Sequence, residues 1–75
     1  MSEQSILKEL GARHERIEFN RCKILIQNAD DIDDAQNQLL HRAKNIITRF
    51  DKTSDIKSLI ITIYQLSAIK QHLKI

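Results

Sequence analysis

Apolar residues recur every three or four positions in three stretches of this chain, and polar runs at 27–34 (QNADDIDD) and 51–55 (DKTSD) separate them. Each residue of an α-helix advances its side chain by about 100°, so such spacing gathers apolar positions on one face. The pattern predicts three helices, at about 3–28, 34–50 and 55–73. The second is the most one-sided: Leu39, Leu40, Ala43, Ile46, Ile47 and Phe50 share a face, with Asp33 as a cap and Gln36 three residues later to complete a capping box. The surplus carboxylates of Asp30, Asp31 and Asp34 suit the positive end of that helix dipole.

The first helix carries two apolar faces. With Ser2 as its cap, Ile6, Leu10, Ile17 and Ile24 fall within about 40° of one another, and Leu7 and Leu25 widen the stripe. Phe19, Cys22 and Ile26 lie nearly opposite. One face meets the rest of the chain and the other needs a different cover. Gly11 sits inside the pattern at a cost of about 1 kcal/mol relative to Ala, so the first ten residues are expected to fray or kink. The third helix, capped by Thr53 or Ser54, spreads Ile56, Leu59, Ile60, Ile63, Tyr64, Leu66, Ile69 and Leu73 over an arc of about 200°. Ile61 and Ala68 lie outside that arc, and Ile61 is expected in water on a lone chain. Neither break contains Gly or Pro, so helices two and three could also fuse across 51–55.

Composition narrows the class. The chain has 75 residues, 13 Ile, 8 Leu, no Val, no Pro and a single Gly, which leaves few turn formers and few strand formers other than Ile. The expected fold is all-α: one domain over 1–75, a three-helix antiparallel bundle. A chain this short buries only about 60% of its unfolded surface, so further support is expected from a second copy or a partner helix. Cys22 is the only cysteine, so no internal disulfide can supply it. The amino end lacks a secretory pattern and the longest apolar-leaning stretch, 58–69, is too short to span a bilayer. The expected location is the cytoplasm. An Ile-rich, Gly-poor and Pro-poor chain also fits an AT-rich gene of the kind that phages and mobile elements carry.

Candidate chemistry is sparse. The acidic run 30–34 fails as a calcium loop, because the sixth and twelfth positions are Ala35 and His41 counted from Asp30, or Gln36 and Arg42 counted from Asp31, with neither Gly nor Glu where the loop needs them. His14, His41 and His72 lie one per helix, and only His14 has a carboxylate at ligand spacing, Glu18. No phosphate loop and no nucleophile-base pair is present, so no catalytic residue, metal or cofactor is expected, and the chain is not expected to be an enzyme. With 12 basic and 10 acidic residues the net charge is only +2. Arg13, Arg16, Arg21 and Lys23 spread around helix one among Glu15 and Glu18, and helix three offers Lys57, Lys70 and Lys74 beside Ile61. Only Arg42, Lys44, Arg49 and Lys52 approach a basic cluster, the alternative basis for a nucleic-acid-binding regulator. The favoured expectation is a protein-interaction module, a regulator, inhibitor or chaperone-like adaptor, that pairs with another protein or with itself as a homodimer. Its surface would comprise Phe19, Cys22, Ile26, Ile61, Tyr64 and Ala68.

Overall fold

The computed structural model describes residues 3–53 and 55–73, which form three α-helices and no strand: α1 (Glu3–Gln27), α2 (Ile32–Thr53) and α3 (Ile56–His72). The caps expected at Ser2 and Ser54 lie outside the described residues, as do Lys74 and the side chain of Thr53.

The starts of α2 and α3 are set by two aspartates rather than by the expected Asp33 and by Thr53 or Ser54. The Asp34 backbone N–H donates to Asp31 Oδ1 at 2.8 Å, and the Asp34 carboxylate reaches back to accept from the Asp30 N–H at 3.1 Å. Asp31 is therefore the cap of α2, while Asp33 lies inside the first turn. The helix begins two residues early because Asp31, three positions before Asp34, satisfies an amide that would otherwise lack an intrahelical acceptor. At α3 the cap is Asp55, in extended conformation, whose Oδ1 accepts from the Ser58 N–H at 2.6 Å. That backbone hydrogen bond holds the Asp55 carboxyl below its ordinary range. Lys70 and His72 occupy the last turn of α3, where positive charge suits the dipole. α2 runs on through most of the expected break as far as Thr53, and the extended Asp55 keeps it separate from α3.

α1 and α3 form the closest pair. Gly11 packs against Tyr64, Glu15 accepts a hydrogen bond from Gln71, and His72 meets Phe19, so the two helices climb alongside each other in the same direction. α1 continues through Gly11 without a break. The glycine is needed for packing: an added Cβ would fall 2.7 Å from Tyr64 Cε2, inside the ring's van der Waals shell. The core gathers Cys22, Leu39, Ile46 and Ile69, with Ile26, Ala43, Leu66 and Leu73 partly buried around it. It is small for the chain. The molecule measures 44 × 24 × 18 Å with a radius of gyration of 13.3 Å, above the roughly 11 Å of a compact domain of this length.

Gly11→Ala should lower the melting temperature, because displacing the Tyr64 ring costs about 1–3 kcal/mol while the gain in helix propensity is about 1 kcal/mol. In a Tyr64→Ala background the same substitution should become stabilising. A denaturation cycle over the four proteins measures the change of sign.

Candidate interaction surface

The inward side of α1 presents a carboxylate to the centre of the molecule. Glu18 is completely buried, a position an isolated charge could not hold. Arg42 of α2 answers it with a two-pronged ion pair, Nε to Oε2 and Nη2 to Oε1, each at 2.9 Å. The Cys22 thiol, one turn along α1, donates to Oε2 at 3.7 Å. The hydrogen bond to Glu18 raises the already strongly basic Arg42 guanidinium further. Burial, and after it the Glu18 charge, push the Cys22 thiol from 9.0 up to about 11. No buried side-chain nitrogen or oxygen among the described residues is left without a hydrogen bond.

This arrangement fixes the rotation of each helix and places the expected surface residues. Cys22 and Ala68 are completely buried inside the single chain. Ile26 packs on the core, and Phe19 is half-buried beneath His72, ring centroids 4.1 Å apart, with the His72 Nε2–H donating to the Phe19 carbonyl at 3.2 Å. Tyr64 covers Gly11. Ile61, expected in water, is half-buried and lines a groove with His14, Ile46, Phe50 and Thr62. The Phe19, Cys22 and Ile26 side of α1 is thus its packed face, and the helix is turned roughly half a revolution from the orientation that would bury its isoleucines. The basic cluster is divided as well. Arg42 is committed to Glu18, Lys44 points to a different side of α2, and Arg49 and Lys52 border the groove that holds Ile61.

What faces outward on α1 is the other stripe: Ile6, Ile17 and Ile24 are 55%, 45% and 55% exposed. Near Ile6 the charge is mixed, because Glu3 and Glu9 are exposed, but around Ile17 and Ile24 it is one-sided. Glu15 accepts from Gln71 at 3.1 Å and Glu18 is buried, while Arg13, Arg16, Arg21 and Lys23 are all exposed. Balanced in sequence, the second half of α1 is basic toward solvent. Two further clues in the sequence point to the packed side: Gly11, Glu18 and Cys22 recur at helical spacing, and Thr62 and Ala68 supply small buried residues on α3.

No group of three or more His, Cys, Asp or Glu among the described residues could hold a metal ion, and no described helix is long and apolar enough to cross a membrane. Neither a protein-family model, nor a curated protein, nor a solved structure matches the chain.

Arg42→Ala should destabilise the fold by about 3 kcal/mol, because it strands a buried charge, whereas joint replacement Glu18→Leu with Arg42→Met should recover most of the loss. Urea titration of the two variants tests this.

The Cys22 thiol ionises later in the folded chain than in the unfolded one, so its contribution to stability is fully present below pH 9.0 and is lost as pH rises toward about 11. Cys22→Ala should flatten that part of the stability profile. An unchanged slope across the window would show that the thiol is not shielded.

Proposed function

We propose that this chain is a small, non-catalytic protein-interaction module, a regulator, inhibitor or adaptor built as an up-down-up bundle with successive helices antiparallel. It works through the outer face of α1. The carrying observation is the isoleucine stripe at positions 6, 17 and 24, exposed on the side opposite the packed face and bordered by Arg13, Arg16, Arg21 and Lys23. Scattered exposed apolar residues are ordinary, but a stripe at helical spacing matches the way one helix seats in a partner's groove. With Glu18 buried against Arg42 and Glu15 held by Gln71, the half of that face around Ile17 and Ile24 is cationic, which selects a partner whose apolar groove or helix is rimmed with carboxylates.

A second reading rests on the same four cations: they could contact the phosphates of a nucleic acid, in place of the divided set Arg42, Lys44, Arg49 and Lys52. The two readings differ in what the isoleucines do. Phosphate contacts weaken steeply as salt rises and do not need an apolar stripe.

The test immobilises the wild-type chain and an Ile17→Asp variant and measures retention of host proteins and of duplex DNA and RNA over a salt series. The module reading expects a protein retained at about 0.15 M salt and lost at least tenfold with Ile17→Asp, which corresponds to about 1.4 kcal/mol. Retention of nucleic acid alone, steep in salt and indifferent to Ile17, would establish the second reading instead.

A further inference from the structure

The α2–α3 side carries a different surface. Gln36, Leu40, Ala43, Ile47 and Phe50 follow one another on α2 at intervals of four, three, four and three residues, and Ile56, Leu59, Ile63 and Leu66 do so on α3 at three, four and three. This 3.5-residue rhythm is that of helices packed lengthwise against another helix. Yet most of both seams lies on the outside: Leu40, Ile47, Ile56, Leu59 and Ile63 are each between 42% and 70% exposed, while Gln36, Ala43, Phe50 and Leu66 are half-buried along the inner edge. The inward seam of α3 is instead Ser58, Thr62, Gln65, Ile69 and His72, four polar residues and one aliphatic. Ala43 and Leu66 pack against the same core cluster, so each outer seam flanks that core.

We propose that this face closes on the same face of a second copy of the chain, with the two α2 helices antiparallel about a twofold axis near Ala43. The proposal is independent of the α1 surface. Three observations select a second copy in that orientation. First, the seam is self-complementary. A twofold axis at Ala43 sets Leu40 against the partner's Ile47 and Gln36 against the partner's Phe50, with the two small Ala43 side chains allowing close approach at the centre. Second, the ends of α2 differ in charge. Asp30, Asp31, Asp33 and Asp34 crowd its start, whereas Arg49, Lys52 and Lys57 outnumber Asp51 and Asp55 around its end. Antiparallel pairing brings unlike ends together; parallel pairing would stack eight carboxylates. Third, the area fits. The five aliphatic side chains put on the order of 500 Å² of apolar surface on this face, near the upper end of what a monomer keeps in water. A stable pair removes about 800 Å² per partner, and Gln36, Ala43, Phe50, Leu66 and the polar rim make up the difference. Among the described residues only three large aliphatic side chains are almost fully buried, Leu39, Ile46 and Ile69, so the fold benefits from cover, and its own copy is always at hand.

Sedimentation equilibrium of the wild type, together with oxidative cross-linking of Ala43→Cys and Gln36→Cys placed separately in a Cys22→Ala background, tests both parts. The expected result is a wild-type dimer, at least 100-fold weaker with Ile47→Lys at unchanged helical content. Ala43→Cys should cross-link to itself and Gln36→Cys should not, because position 36 faces position 50 of the other copy. A wild type that remains monomeric at about 100 μM overturns the proposal, as does a dimer indifferent to Ile47→Lys. Self-cross-linking at both positions means parallel helices, and at neither position a different face; each overturns the proposed geometry. A monomer that forms only a one-to-one complex with an unrelated chain through Leu40 and Ile47 would assign the face to that partner instead.

Discussion

The buried Glu18 carboxylate constrains everything packed around it. An ionised group without water must be met by an opposite charge at hydrogen-bonding distance, and only Arg42 does so, through both of its prongs. That demand fixes where α2 crosses α1 and which side of each helix points inward. Cys22, a small residue, is buried beside the pair, and its thiol shares the same carboxylate. Pairs of this kind contribute more to the choice of one arrangement than to net stability, since desolvation consumes much of the attraction. Here the choice is made against the hydrophobic pattern: α1 turns its isoleucine stripe to solvent in order to place Glu18, Gly11 and Cys22 inside.

This explains why the fold was more legible in the sequence than the surface. Helix positions and breaks follow from apolar spacing and polar runs, and these were readable to within a few residues. The caps were missed by one or two positions, because several aspartates and hydroxyls compete at each start and only geometry shows that Asp31 and Asp55 win. Helix rotation was not readable from apolar counts. Counting rewards the side with most isoleucines, whereas close approach rewards Gly11, Thr62 and Ala68, which add little to any hydropathy tally. Ile61 is the clearest case: outside the aliphatic arc of α3, it nonetheless lies on the side that faces α1 and α2. The charge of α1 was hidden for the same reason. Its carboxylates and cations alternate in sequence and separate only once Glu15 and Glu18 find partners on other helices.

The result is a division of labour among three helices that each have more than one usable side. The inner sides combine small residues, one ion pair and a few aliphatic side chains, enough to define an arrangement but little beyond that. The outer sides hold nine exposed isoleucines and leucines, against three that are almost fully buried among the described residues. Such a distribution suits a part of something larger better than a freestanding particle, since apolar surface contributes to stability only where water is removed from it.

The pairing of α1 with α3 bears on the order in which the fold assembles. Contacts such as Phe19 with His72 join residues 53 positions apart, and the closest packing is between the first and third helices. Closing so long a loop precedes any return from the contacts it allows, which slows folding relative to a helical hairpin of neighbours. α1 and α2 alone would bring together the ion pair but leave Gly11 and Phe19 uncovered. The packed face of α1 is therefore completed late, only after α3 has joined the pair that Glu18 and Arg42 can make on their own.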